Sequence, residues 1–110
     1  MTYQHKNLAL GRWNHLPLIE QMANIGSEVE RALNWRVKNN TIYCRQAFER
    51  ALELIDLTLD NLKNYSRLRE LARAREVIVD YFFGTNEFLS TENSLRKYFF
   101  YFAYAARKNY

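Results

Sequence analysis

Apolar residues recur at helical spacing along most of the chain. In the first third they are separated by 4, 3, 4 and 3 positions, at Leu18, Met22, Ile25, Val29 and Ala32. A second series follows with similar spacing, at Cys44, Phe48, Ala51, Ile55 and Thr58. Such spacing gives a helix one apolar face. With only 3 glycines and 1 proline among 110 residues, the chain also lacks the frequent turns of a sheet protein. The pattern predicts an all-α fold.

Capping and breaking residues divide the chain into four helices. We expect helices from about Asn14 to residues 38–40, from Thr41 to about Asn61, from Ser66 to Gly84, and from Ser90 or Thr91 to about Lys108. Gly84 is expected in the left-handed conformation that ends many helices. Short links favour antiparallel neighbours, which predicts an up-down-up-down four-helix bundle over residues 14–110, preceded by an N-terminal arm over residues 1–13.

Two details of the first two helices bear on how they pack. Gly26 costs a helix about 1 kcal/mol relative to alanine, so we expect a close approach of another helix there. Trp35 and Ala51 have the spacing of a tetratricopeptide-like helix pair, which gives a rival fold. However, Lys38 and Asn39 stand where that repeat has leucine and glycine, and no second copy follows. We therefore favour the bundle.

Composition indicates a soluble chain and excludes several classes. Apolar residues make up 48% and charged residues 25%, as in ordinary globular domains. Residues 1–13 lack the apolar core of a signal peptide, and no apolar run reaches membrane-spanning length. The single cysteine, Cys44, cannot form an internal disulfide, which favours a reducing compartment. We expect a cytoplasmic protein without membrane contact. The net charge of +4 permits anionic partners without requiring them.

The last helix is unusually rich in aromatic residues. On a helical wheel one face carries the expected core residues Leu95, Phe99, Phe102, Ala103 and Ala106. Phe100, Tyr101 and Tyr104 fall on roughly the opposite side, beside Lys97 and Lys108. A helix that is apolar nearly all round is buried nearly all round, and a bundle core covers only one side. The sequence therefore predicts a second contact surface at Phe100, Tyr101 and Tyr104.

Three interpretations of this surface compete. It packs against another protein chain, either a second copy or a partner. Alternatively, its rings stack on nucleobases while Lys97, Arg107 and Lys108 contact phosphate. In the third interpretation the tyrosines are simply exposed, since their hydroxyls remain hydrated. We favour the protein interface because Phe100 has no polar end.

Charged residues form two sets in the middle of the chain. Acidic residues recur at Glu49, Glu53, Asp56 and Asp60, and basic residues are concentrated on the next element at Lys63, Arg67, Arg69, Arg73 and Arg75. The simplest interpretation is a solvated face on which adjacent helices form weak ion pairs. In the alternative, Arg67, Arg69 and Arg73, together with Lys97, Arg107 and Lys108, form a patch for nucleic acid or phosphate.

Catalytic and metal sites find little support. Di-metal bundles use a Glu-x-x-His element, which the chain lacks, and its only histidines are His5 and His15. Cys44 lies in an apolar series, where a thiol is usually inert. No glycine-rich phosphate loop is present. We expect a non-enzyme without a cofactor or a metal.

Three segments give the chain a family resemblance. They are residues 20–33 (EQMANIGSEVERAL), residues 47–59 (AFERALELIDLTL) and residues 68–82 (LRELARAREVIVDYF). In size, helix number and texture the chain resembles the HEPN group and related nucleotidyltransferase-associated bundles. The resemblance implies a dimeric bundle that accompanies a nucleotidyltransferase or cuts RNA. HEPN ribonucleases carry an arginine followed by a histidine after four to six residues. Arg12 and His15 have the wrong spacing, so the resemblance implies a non-catalytic relative.

Overall fold

The computed structural model describes residues 11–108 and is all-α. Its four helices are α1 (Leu18–Val37), α2 (Thr41–Asn61), α3 (Tyr65–Phe83) and α4 (Glu92–Lys108), preceded by a short 3₁₀ turn, Trp13–His15. No strand occurs within residues 11–108, and the prediction of an all-α fold with four helices is confirmed. Most of the expected N-terminal arm, including His5, lies outside the described residues.

Side-chain caps begin three of the helices. Asn40 Oδ1 accepts the Tyr43 N–H at 3.0 Å at the start of α2, and Asn64 Oδ1 accepts the Arg67 N–H at 3.1 Å at the start of α3. The expected caps Thr41 and Ser66 are therefore wrong, because an asparagine side chain just before each reaches the free amides. At α4 the cap is Thr91, one of the two expected residues, whose Oγ1 accepts the Ser94 N–H at 3.0 Å.

The start of α1 and the ends of α1 and α3 also differ from the sequence predictions. Pro17 is the N-cap of α1, and Asn14 lies earlier, in the 3₁₀ turn. Gly84 ends α3 as expected, but its backbone is extended (φ −102°, ψ −156°). A Cβ at Gly84 would lie 2.9 Å from the Asp80 carbonyl oxygen, so close approach to the last turn is what requires glycine. Asn39 adopts the left-handed conformation (φ 60°) just after α1.

The first helix occupies the centre of the molecule. It packs closely against both α2 and α4, whereas α3 makes fewer close backbone approaches, mainly to α2. Its residues Ile25, Val29, Ala32 and Leu33 are fully enclosed. The close approach expected at Gly26 is confirmed, because a Cβ there would lie only 2.7 Å from Phe99 Cβ. This contact sets the distance between α1 and α4 and thereby the position of the aromatic residues on α4.

Trp13 joins the segment before α1 to the core. Its side chain is 2% exposed, and its indole N–H donates to Thr58 Oγ1 at 2.9 Å. The Gln21 amide donates to the Trp13 carbonyl at 2.9 Å. The last residue of the expected arm is thus part of the packed domain. No helix in residues 11–108 combines the length and the apolar character needed to cross a bilayer.

Candidate interaction surface

Helix α4 buries one side and exposes aromatic rings on the other. Leu95, Phe99 and Phe102 face the core, and every residue advances the helix by about 100°, so the rings between them point elsewhere. Phe100, Tyr101 and Tyr104, which we call the aromatic face, are exposed by 62%, 64% and 54%. The sequence prediction that these three side chains lie outside the bundle core agrees with this placement.

Ring contacts hold part of the aromatic face in place. The Phe100 and Tyr104 rings are stacked, with centroids 6.5 Å apart and an interplanar angle of 26°. Tyr101 packs edge-on against the core residue Phe102, with centroids 5.3 Å apart. These contacts restrict the rings and reduce the side-chain entropy that would be lost on association.

Polar contacts fix the first half of α4 on its neighbours. The Arg96 guanidinium donates to both carboxylate oxygens of Glu30 at 3.0 and 2.9 Å, to Glu92 at 2.6 Å, and to the Asn34 side chain at 2.9 Å. The hydrogen bond to Glu30 is the main reason that the pKa of the Arg96 guanidinium lies above its ordinary value. Because Glu30 and Asn34 belong to α1, this network holds the register of the two helices.

On the other side of α4, Tyr98 contacts α3. Its hydroxyl donates to Glu70 Oε1 at 3.1 Å, and burial, reinforced by the Glu70 carboxylate, raises the pKa of the Tyr98 phenol. The neutral phenol is thus the form that this site stabilises. Arg96 and Tyr98 together hold α4 from both sides, so the aromatic face lies on a fixed scaffold.

The charge near the aromatic face is positive. Lys97 and Lys108 are exposed on the same side of α4, and Arg107 is exposed beside them. Within the described part of the chain none of the three forms an ion pair. After Glu92 the helix contains no acidic residue. The rings are therefore flanked by cations whose counter-charge the described residues do not supply.

A groove of about 720 Å³ runs between α1 and α4 next to the aromatic face. Its apolar walls include Gly26, Phe99, Phe100 and Ala103, and Lys97 lies at its edge. The groove is open because α1 presents short side chains here, Ala23 and Ser27 among them. It extends the exposed surface of Phe100 into a concave apolar site.

The basic residues on α3 form a separate group. Arg67 pairs with Glu70 at 3.4 Å, while the Arg69 and Arg73 guanidinium groups lie over the rings of Tyr65 and Phe88, at 5.8 and 5.6 Å from the centroids. Arg67 and Arg73 line cavities between α3 and α4, whereas Lys97 lines the groove against α1. The structure does not gather the predicted basic residues into one cavity.

The acidic series on α2 is divided between surface and core. Asp56 pairs with Arg75 of α3 at 2.8 Å, as the solvated-face interpretation expects, and Glu49 pairs with Arg45 on its own helix at 3.2 Å. Asp60 is exposed. Glu53, however, is only 2% exposed, so a solvated position for this residue is wrong. Glu53 lies four residues before the buried Leu57, on the same side of α2. The spacing of the acidic residues alone did not reveal that this side is buried.

One ion-pair cluster was not foreseen. The buried Glu28 carboxylate accepts from Arg31 at 2.9 Å and from Arg50 at 3.1 Å, and so joins α1 to α2. The sequence signal was the position of Glu28 within the apolar series of α1. A carboxylate that is buried at such a position requires a cationic partner.

A second exposed apolar group, also not foreseen, lies near the ends of α1, α2 and α3. It comprises Val37, Ile42, Tyr43 and Phe83. Cations cover several aromatic rings here: Arg36 lies 4.6 Å from the Tyr81 ring centroid and Arg45 lies 5.3 Å from that of Phe83. Phe83 nevertheless remains 52% exposed and Tyr43 48% exposed.

The titratable residues within the described part of the chain are the candidates for a metal site or a reactive nucleophile. No group of three or more His, Cys, Asp or Glu side chains within residues 11–108 is placed to bind a metal ion. Cys44 is buried, and burial raises the pKa of its thiol, which disfavours the nucleophilic thiolate.

Comparison of the chain with protein-family models, curated proteins and solved structures gives no significant match.

Proposed function

We propose that this chain is a non-catalytic helical interaction module whose aromatic face binds another protein chain, as a homo-oligomer or as an accessory subunit. The observation that carries the proposal is the 62% exposure of Phe100. Burying a phenylalanine side chain contributes about 2 kcal/mol, and Tyr101 and Tyr104 add to the same surface. Aromatic side chains of this kind are the usual anchors of protein interfaces.

The rigidity of α4 supports the same proposal. Arg96 and Tyr98 hold the helix on α1 and α3, and Phe100 stacks on Tyr104. A face that is organised in advance loses less entropy on binding than a flexible one. Such a surface suits recognition by a folded or folding partner.

Light scattering at micromolar concentration tests the homo-oligomeric form. In that form the native chain is a dimer or larger species and the Phe100→Asp/Tyr104→Asp double variant is a monomer, because two desolvated carboxylates would oppose the contact. Ile42→Asp is the matched control, since Ile42 is an equally exposed apolar residue elsewhere (69%). A native monomer that the double variant does not change would remove this form and leave only the accessory subunit.

A second candidate function is binding of RNA or a nucleotide. The observation that favours it is the arrangement of Arg69 and Arg73, which lie over Tyr65 and Phe88 and form no ion pair within the described residues. Cations next to exposed rings are typical of single-strand binding. Fluorescence anisotropy with a labelled single-stranded RNA tests it: affinity that falls steeply with salt and is lost in Arg69→Glu/Arg73→Glu supports this function, whereas no binding at low salt removes it.

The proposal includes an up-down-up-down order of the four helices, which the packing of α1 against both α2 and α4 supports. The relation to HEPN-like bundles would make the accessory subunit one that accompanies a nucleotidyltransferase. A reducing, cytosolic compartment is consistent with the buried free thiol of Cys44.

A further inference from the structure

The groove between α1 and α4 carries a positive charge that no acidic side chain of residues 11–108 compensates. Two of its charged residues already have partners, since Glu30 binds Arg96 and Arg31 binds Glu28. Glu30 is the only acidic side chain among the described residues that line the groove. Lys97 forms no ion pair within residues 11–108. A ligand of this groove therefore meets apolar walls and the ammonium group of Lys97, for which residues 11–108 supply no counter-charge.

This charge disfavours a second copy as the occupant. In a two-fold symmetric dimer the same surface patch meets itself. Pairing two aromatic faces along α4 would bring Lys97, Arg107 and Lys108 of one copy close to the same residues of the other. Like charges at an interface oppose association. The described residues on α4 offer no acid to offset them, because Glu92 is held by Arg96.

The walls of the groove favour a protein partner over a nucleic acid. Leu95, Phe99 and Ala103 line it, and their side chains have no group that could hydrogen-bond to a base edge. An amphipathic helix, in contrast, places apolar residues at i, i+3, i+4 and i+7 into such a groove. Acidic residues beside that apolar stripe would lie opposite Lys97, which lines the groove, and opposite the exposed Arg107, which follows Ala103 by about one turn of α4.

We propose that the groove between α1 and α4 binds an acidic amphipathic helix of a partner protein, with its apolar stripe on Phe100 and Ala103 and its carboxylates facing Lys97 and Arg107. The inference rests on the proposed function and specifies its partner. Phe100 supplies the apolar anchor, and Lys97 and Arg107 select against basic helices.

Synthetic peptides provide the test without the natural partner. The probe is a fluorescent helical peptide of about 18 residues, long enough to form a helix on the surface, with a leucine stripe flanked by glutamates. Its twin has lysines in place of the glutamates. Fluorescence anisotropy is expected to show at least about tenfold tighter binding of the acidic peptide, and weaker binding as salt screens the charges.

Two pairs of variants locate the binding site. Ser27→Trp fills the groove and is expected to abolish binding, whereas Asn24→Trp is the matched control on the same helix. Both native side chains are exposed and bond a backbone carbonyl one turn earlier, Ser27 to Ala23 and Asn24 to Glu20. Lys97→Glu is expected to weaken the acidic peptide by about fivefold, while the same change at the exposed Lys63 leaves it unchanged.

The outcomes separate this inference from the proposed function. Equal affinity for the two peptides, no binding of the acidic one, or binding that Ser27→Trp leaves intact overturns the acidic-helix proposal. If the native chain nevertheless forms an oligomer that Phe100→Asp/Tyr104→Asp disrupts, the interaction module stands with a different partner. If neither association occurs, the acidic-helix proposal and the homo-oligomeric form both fail, and only an accessory subunit with a different partner remains. Tight binding of a single-stranded RNA that neither peptide displaces would favour the second candidate function instead.

Discussion

Gly26 shows how one residue positions the candidate surface. A Cβ at this position would lie 2.7 Å from Phe99 Cβ and 3.1 Å from two ring carbons, so the absence of a side chain allows α4 to pack closely on α1. The next residue of α4 is Phe100. The distance between the two helices, and with it the width of the groove beside Phe100, thus depends on a missing methyl group.

Gly26→Ala tests this dependence. Alanine favours a helix by about 1 kcal/mol over glycine, yet the overlap with Phe99 requires α4 to move, which costs about 1–3 kcal/mol in a packed core. We expect the variant to be less stable in urea unfolding. Ser27→Ala, one position further and exposed, should change stability by less than about 0.5 kcal/mol. An increase in stability for Gly26→Ala would show that the two helices tolerate separation.

Tyr98 gives the structure a measurable pH dependence. Its pKa is raised by burial and by Glu70, so the folded chain holds the phenolic proton more tightly than the unfolded chain does. The stabilisation from Tyr98 is therefore complete below the ordinary tyrosine pKa of about 10 and is lost as pH rises towards the folded pKa. We expect Tyr98→Phe to lower stability by about 1 kcal/mol at pH 8. At about pH 11, urea unfolding should show a smaller difference in the free energy of unfolding between the native chain and Tyr98→Phe. A larger difference at that pH would contradict a raised pKa of Tyr98.

At single positions, the sequence predicted apolar exposure better than charge burial. The wheel of α4 separated Phe100 and Tyr104 from Phe99 because helical periodicity is geometric. The spacing of the acidic residues on α2 did not distinguish the buried Glu53 from the exposed Glu49, because burial of a carboxylate depends on which side chains the neighbouring helices place around it. The Glu28 cluster escaped for the same reason: Arg50 belongs to another helix.

At the scale of whole helices, the existence of each element followed from periodicity, whereas the boundaries depended on local hydrogen bonds. Asn40 and Asn64 act as caps in place of Thr41 and Ser66, because an asparagine side chain competes equally well for free amides. Gly84 ends α3 without a left-handed backbone, whereas Asn39, Asn86 and Leu89 have positive φ angles. Tertiary packing of the loops decides such details.

The start of α4 tests the contribution of its cap. Thr91 and Ser94 cap each other: Thr91 Oγ1 accepts the Ser94 N–H at 3.0 Å, and Ser94 Oγ accepts the Thr91 N–H at 2.9 Å. Thr91→Ala should lower the free energy of unfolding by about 1 kcal/mol. Ser90→Ala is the neighbouring control, because Ser90 is held through its backbone N–H and carbonyl by Asn86. Equal effects of the two changes would argue against a capping role for Thr91.

For the whole molecule, the sequence indicated fold class and one surface but not the partners of long-range contacts. The groove beside Phe100 arises only when α1 and α4 lie side by side. A count of basic residues does not show where they lie in the fold. In the structure they are divided between the α3–α4 side and the α1–α4 side of the molecule. Which helices become neighbours is decided by packing across the whole chain, and that packing also joins Trp13 to a helix 45 positions later.

A double-mutant cycle on Trp13 and Thr58 tests whether that long-range contact helps to hold the domain together. Trp13→Phe removes the indole donor and part of the ring, whereas Thr58→Val keeps the shape and removes the hydroxyl, which accepts from the indole N–H and donates to the Leu54 carbonyl at 2.8 Å. Each change should cost about 1–2 kcal/mol, because a buried polar group is left without its partner. If the hydrogen bond is a direct interaction, the double variant should lose about 1 kcal/mol less than the sum of the single losses. Strictly additive losses in urea unfolding would mean that the two side chains act independently, and the segment before α1 would then be held by packing of the indole alone.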